Sequence, residues 1–351
     1  MNKMSPRNVD HTGGEMVMLG TGSGDDGIGY ISKKDRRTIN ELTNSGVLYH
    51  QRGEYDKAIR YFRKALKLQR SHRGGDHPTV AHTLSNIGSV LFHKGDSDEA
   101  MSYLKESLRI SKEWCQVNLV VSDTLTNIAN IHSVYGAYDD AHVALVECLD
   151  VQEELVGDSH PCIADTLFNL GVVQTKLADT DSAIKHFQDA LIVARTVMGD
   201  STNVVHILEQ ISTLQVQRGN YGEGLNYMKE ALQILRALLG DDHVNVASCY
   251  YNVGLIHQQL GQIKETNHSF LMAADIYKKN GYDENHPSFL AVRQGLRQLE
   301  QSERSLILAG KQKKQLVQRR ETSSITRRER SSSITRRDRS GLIPRKDKSP
   351  T

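Results

Sequence analysis

Asn44-Ser45-Gly46 returns as Asn86-Ile87-Gly88, Asn127-Ile128-Ala129, Asn169-Leu170-Gly171, Gln210-Ile211-Ser212 and Asn252-Val253-Gly254, at steps of 42, 41, 42, 41 and 42 residues. Self-similarity at this period marks a solenoid, in which no unit buries its apolar face alone and neighbours must stack. Seven residues beyond each anchor Gly, or its substitute, lie Gly53, Gly95, Gly136, Ala178, Gly219 and Gly261, which read as the turn of a helix hairpin. Twelve beyond lie Ala58, Ala100, Ala141, Ala183, Gly224 and Thr266; nineteen beyond lie Ala65, Ser107, Cys148, Ala190, Ala231 and Ala273. All twelve are small, as a close crossing of two helices requires. Phe62, Leu104, Leu145, Phe187, Met228 and Phe270, sixteen beyond, are bulky and are expected to fill the space between hairpins.

Each pair is closed by a polar link, as in Gly75-Asp76-His77-Pro78, Gly157-Asp158-Ser159-His160-Pro161, Gly240-Asp241-Asp242-His243 and Asp283-Glu284-Asn285-His286-Pro287. Gly suits a helix end, Asp or His a cap, and Pro a first turn whose N–H has no helical partner. This spacing of Gly, Gly, Ala, aromatic and Ala resembles the tetratricopeptide repeat, and the long period and links resemble the kinesin light chain repeats, over residues 37–290. The resemblance implies an all-α, right-handed superhelical solenoid of six helix hairpins with a C-terminal capping helix. That cap is read over residues 291–320, where Val292, Leu296 and Leu299 recur among charges.

Composition agrees with a globular repeat body. Apolar residues make up 38% and charged residues 25%, and the longest apolar run near the start, Met16-Val17-Met18-Leu19, is too short to span a bilayer or serve as a signal peptide core. A cytoplasmic location is expected. Cys115, Cys148, Cys162 and Cys249 are scattered with no Cys-x-x-Cys pair, so reduced structural thiols are expected, with no metal and no cofactor. Residues 1–36 hold seven glycines and no helical period, and read as a disordered leader. Within it, Gly22-Ser23-Gly24-Asp25-Asp26-Gly27 matches a bare dinucleotide-binding string, but two carboxylates occupy the loop and no amphipathic helix follows. Residues 321–351 read as a disordered basic tail. Residues 311–351 carry 14 Lys or Arg against 4 acids, and the remaining 310 residues carry 30 against 38, so an acidic body bears a basic tail.

The tail contains a duplication, Ser323-Ser324-Ile325-Thr326-Arg327-Arg328-Glu329-Arg330-Ser331 and Ser332-Ser333-Ile334-Thr335-Arg336-Arg337-Asp338-Arg339-Ser340. Its Arg-Arg-x-Arg-Ser core resembles the target of basophilic kinases, which makes Thr322, Ser331 and Ser340 candidate phosphorylation sites. Nucleic-acid or anionic-surface binding through this segment is the weaker alternative, because no aromatic residue for base stacking follows Phe289.

If the hairpins stack as the resemblance implies, the first helix of each pair lines a concave groove. The residue two before each anchor then forms an amide row: Asn44, Asn86, Asn127, Asn169, Gln210 and Asn252. Each amide offers a donor and an acceptor, so the row suits the backbone of an extended peptide, whatever its side chains. The alternative is that these amides satisfy local contacts within the solenoid. Beside the row, Phe92, Phe168 and Tyr251 offer apolar pockets, and Asp123, Asp165 and Glu209 favour a ligand with a basic or neutral centre. Relatives that grip a chaperone C-terminal carboxylate use Lys and Arg beside such an Asn. The position six before the anchor carries neither, so that specificity is not expected.

The function that follows is a non-enzymatic, monomeric adaptor or scaffold for a partner protein. A kinesin-associated cargo adaptor is the alternative that the resemblance supplies. Kinesin light chains join their motor through an N-terminal heptad coiled coil, and residues 1–36 have no sustained apolar a and d positions. Motor attachment is therefore not expected.

Overall fold

The computed structural model describes residues 31–115, 117–283 and 285–339. Thirteen α-helices and no strand are found among them, so the all-α solenoid expected from the period is the observed fold. The chain divides into two compact units, Met1–Leu238 and Leu239–Thr351. The leader up to residue 30, including the Gly22–Gly27 string, and Ser340 with the residues after it lie outside the described residues.

The first unit holds five hairpins. They are α1 (Lys33–Gln51) with α2 (Tyr55–Arg73), α3 (Pro78–Lys94) with α4 (Ser97–Trp114), α5 (Leu119–Val134) with α6 (Tyr138–Val156), α7 (Pro161–Lys176) with α8 (Thr180–Met198), and α9 (Thr202–Gln217) with α10 (Tyr221–Leu239). The second unit pairs α11 (Val244–Gln259) with α12 (Ile263–Lys279), and α13 (Pro287–Arg339) packs on α12. Helix α1 starts four residues before the expected boundary, because Ser32 caps it by accepting from the Asp35 N–H at 3.0 Å.

Histidine performs the capping that the links suggested. His77, His160, His243 and His286 each accept, through Nδ1, the N–H two residues on, at 3.1, 3.3, 3.1 and 3.3 Å. Where the link departs from that pattern, Asn118 and Ser201 cap α5 and α9 in the same place.

The bulky residue sixteen beyond the anchor was expected between hairpins, but it first seals its own. A Cβ on Gly46 would lie 2.7 Å from the Phe62 ring, one on Gly88 2.6 Å from Leu104, and one on Gly171 2.7 Å from Phe187. Those three side chains are fully buried. In the second unit Phe270 lies between two such glycines, Gly254 at 2.5 Å and Gly295 of α13 at 2.7 Å. Gly295 is 41 residues beyond Gly254, so the start of α13 is a seventh first helix in the same register.

Two further features were not legible as such. Small buried hydroxyls also carry hydrogen bonds: Ser107 Oγ, at plus nineteen, donates to the Ala81 carbonyl at 2.7 Å, and Thr124 Oγ1 of α5 donates to Ser85 Oγ of α3 at 3.1 Å. Around buried Cys148, Gln152 Nε2 donates to Ser122 Oγ at 2.9 Å, and Thr166 Oγ1 donates to Gln152 Oε1 at 2.7 Å. Ser107–Ala81 and Gln152–Ser122 lie within a hairpin, Thr124–Ser85 and Thr166–Gln152 join successive hairpins, and an unpaired polar group at any of them would cost about 1–3 kcal/mol. The other feature is the length of α13. It continues through residues 321–339, for which composition predicts no ordered structure. No Pro or Gly interrupts residues 311–339, and Arg, Lys, Gln and Glu there are good helix formers, so the helix propagates.

Two deviations from the repeat generate stability predictions. Ala178 is the only non-Gly residue with positive φ among the described residues, at 61°, where its equivalents are all Gly. Relieving that conformation offsets the extra freedom of unfolded Gly, so Ala178→Gly is expected to stabilise by about 0.5–1 kcal/mol in urea denaturation. In the fifth hairpin, Gly222 faces open space, whereas a Cβ on Gly224 would lie 2.7 Å from Val216 Cγ2 and 3.1 Å from the Ser212 carbonyl. Gly222→Ala should therefore gain about 0.5–1 kcal/mol, and Gly224→Ala should lose about 1–3 kcal/mol. The same sign for both variants would refute the close crossing.

Candidate functional site

An α-helix turns by about 100° per residue, so a residue two before the anchor lies about 160° around the helix from it. The anchor faces the second helix of its hairpin; the amide therefore faces away. In the first unit Asn44 is exposed, and Asn86, Asn127, Asn169 and Gln210 are half-buried on α3, α5, α7 and α9. The first helices α3 and α5 also touch each other directly. Asn252 of α11, in the second unit, is half-buried in the same way.

The alternative of local satisfaction can be checked by following each amide. Asn86 Nδ2 reaches His82 Nδ1 only at the 3.5 Å limit of a hydrogen bond. Asn44, Asn127, Asn169, Gln210 and Asn252 make no side-chain hydrogen bond with any described residue. Helix-interior Ser and Thr on the same helices behave differently, returning their hydroxyls to the preceding turn, as Thr175 does to the Gly171 carbonyl at 2.8 Å. The amide row is thus half-sheltered polar surface with its bonding capacity unspent.

The flanking residues divide between internal and open roles. Phe168 packs on the buried Phe187 ring, with centroids 5.4 Å apart, and Tyr251 stacks on Phe270 at 5.5 Å. Each is half-buried and keeps part of its ring exposed, as does Phe92. The Glu209 carboxylate lies 3.6 Å from His206 Nδ1 and raises the His206 pKa. Asp123 and Asp165 are exposed at the position six before the anchor. Protein closing around Asp123 removes part of its bulk water and pushes its carboxyl up to about 6. Burial likewise lowers the pKa of His82, in the equivalent place on α3.

No group of three or more His, Cys, Asp or Glu side chains able to hold a metal ion occurs among the described residues. None of the four cysteines forms a disulfide, and burial pushes the Cys148 thiol upward. No described helix is long and apolar enough to cross a membrane. Thr322 and Ser331 fall within α13.

The tetratricopeptide repeat family model matches residues 37–113, 120–196 and 204–279. A clustered mitochondria protein homolog of Emericella nidulans is 24% identical over 127 residues, covering 36% of this chain and 10% of the relative. One from Coccidioides immitis is 26% identical over 117 residues, 33% of this chain and 9% of the relative. The chain thus matches about a tenth of the length of these relatives. Among solved structures, BtubC (BKLC) from P. vanneervenii superposes with a TM-score of 0.53 at 16% identity, covering 72% of this chain and 95% of that one. A putative kinesin light chain from Podosopora anserina, with nearly identical TPR-like repeats, gives 0.52 at 12% identity over 60% of this chain and 99% of that one. Both share the fold.

The environment of Asp123 has a measurable consequence. A carboxyl whose folded pKa lies near 6, above its ordinary 3.8, binds its proton more tightly when folded. Stability therefore falls as pH rises from about 4 to about 6, and the ionised group opposes folding above that window. Asp123→Asn removes this contribution. The variant's thermal midpoint should gain on the wild type between pH 4 and pH 7; a constant difference across that range would show an ordinary surface carboxylate.

Proposed function

The chain belongs to the tetratricopeptide repeat family, and we propose that it is a non-enzymatic adaptor binding an extended peptide segment of a partner protein along the first helices of its hairpins. The observation that carries this reading is the row of half-buried amides, Asn127, Asn169 and Gln210, without a partner in their own fold. A main chain laid across them supplies an acceptor and a donor at each step, which gives affinity independent of sequence. Selectivity then falls to the flanking groups. Asp123 and Asp165 favour a Lys or Arg side chain of the ligand, and the open edges of Phe92 and Phe168 favour an apolar residue beside it. Glu209, already facing His206, contributes less.

The adaptor is proposed to act in the cytoplasm as a monomer, with phosphorylation of Thr322, Ser331 and Ser340 as its regulation. Because Thr322 and Ser331 lie within α13, a kinase gains access only when that stretch unwinds, and each phosphate then adds about −1.5 to −2 of charge to a basic segment.

The test is to capture partners with the full chain, map the bound segment, and measure its affinity by calorimetry. Asn127→Ala with Asn169→Ala should weaken binding by roughly 1–3 kcal/mol, the cost of leaving sheltered amide partners unpaired, with helix content unchanged. Equal affinity in the double variant would assign the row to structure alone.

A further inference from the structure

Charge is unevenly spread within the first unit. Residues 33–73 carry 12 Lys or Arg against 4 acids, whereas residues 74–238 carry 10 against 22. The acidic body expected from the sequence therefore begins only at its second hairpin. Helix α2 alone holds seven Lys or Arg and one acid.

Part of that charge serves the stack. Along the second helices, the residue twenty-four beyond one anchor pairs with the residue eighteen beyond the next: Arg70 with Glu106 at 2.7 Å, then Lys112 with Glu147, and Arg195 with Glu230. Position eighteen is Glu106, Glu147, Asp189 and Glu230 in the second to fifth hairpins, but it is Lys64 in the first. Arg63 is held by Glu99 at 2.6 Å, and Lys94 of α3 holds Asp56 at 3.0 Å. Arg60, Lys64 and Lys67 find no acid among the described residues; Lys64 only overhangs the Tyr61 ring, 5.7 Å from its centroid.

These three cations edge a cleft of about 510 Å³ between α2 and the end of α3, floored by Ile59 and Leu91. They stand at i, i+4 and i+7, on one side of α2, about 6 and 10 Å apart along its axis. Like charges at this spacing repel, and nothing in the fold relieves them. We infer that the cleft docks an acidic peptide segment of a partner protein whose carboxylates recur one helical turn apart. The shape selects this occupant. A flat anionic membrane does not enter a recess whose lining includes Asp56 and Glu99, and one phosphate cannot meet three cations spread over 10 Å. An acidic helix laid along α2 meets each in turn and gains the steering field of the first hairpin.

The experiment uses the full chain and a fluorescein-labelled Ala/Gln-rich peptide with Glu at i, i+4 and i+7, alongside the same peptide with Gln at those places. Anisotropy titrations at about 50 mM and about 300 mM salt are compared with flotation on phosphatidylserine vesicles. The Glu peptide should bind and the Gln peptide should not. Its affinity should drop by at least about tenfold when Arg60, Lys64 and Lys67 are all changed to Glu, and fall also with salt. The milder triple Gln variant gives the same readout if charge reversal disturbs folding. Lys185→Glu, at the place of Arg60 in the fourth hairpin, and Asn127→Ala with Asn169→Ala should each leave probe binding intact, separating the cleft from the amide row. Equal binding of both peptides, unchanged affinity in the triple variants, or capture by vesicles without peptide binding would overturn the assignment.

Discussion

Every other feature of the chain depends on one contact, in which a position with little or no side chain on the first helix meets a bulky side chain from the second. At Gly46, Gly88, Gly171 and Gly254 a single added carbon would come within 2.8 Å of its partner, so the two helix axes stand closer than ordinary side chains permit. Full burial of Phe62, Phe187 and Phe270 follows, each worth about 1.5–3 kcal/mol relative to exposure. The contact also sets orientation. With the anchor pinned against its partner, rotation about the first helix is fixed, and the amide two residues earlier has to face the opposite way. The candidate binding face is thus a geometric consequence of hairpin closure.

That dependence explains the way the repeats deviate. Where the anchor enlarges to Ser212, the residue twelve on shrinks to Gly224, and Ser212 Oγ donates to the Gly224 carbonyl at 2.7 Å. The volume lost on one helix is recovered on the other, so the crossing is kept. The turn at Ala178 shows a different accommodation, because its left-handed conformation is imposed by both flanking helices and tolerated at a local cost of about 1–2 kcal/mol.

Period, hairpin, turn and cap were all legible in the sequence, because each rests on residue types that few other conformations demand. Gly at a positive φ and His-Pro at a helix start leave a direct signature. Spacing placed the plus-sixteen side chains between hairpins, where Phe270 meets Gly295 of the next element, but it did not show that Phe62, Leu104, Phe187 and Phe270 also close on the anchors of their own hairpins. Ser107 read only as small, because a buried hydroxyl looks the same in sequence as a solvated one. Gly295 carried a signal in its 41-residue offset from Gly254, masked by the absence of Asn two residues earlier, where Arg293 stands. The helicity of residues 321–339 was hidden by composition, which reports the lack of a core and says nothing about a single helix bonded to itself.

The amide row and its charges differ in what they contribute. An amide offers the same donor and acceptor to any peptide, so the row supplies register along a backbone without choosing among sequences. Choice requires a group whose interaction changes sign with the ligand, and on this face Asp123 and Asp165 are such groups in neighbouring hairpins. Their neighbours on either side are histidines at the same register: His82, whose pKa burial lowers, and His206, whose pKa Glu209 raises. On the proposed reading, the two carboxylates favour a basic ligand residue over the third and fourth hairpins, while over the fifth Glu209 is already engaged with His206. On the proposed reading, the amides hold a backbone in register and the two carboxylates choose which of its residues lies over them.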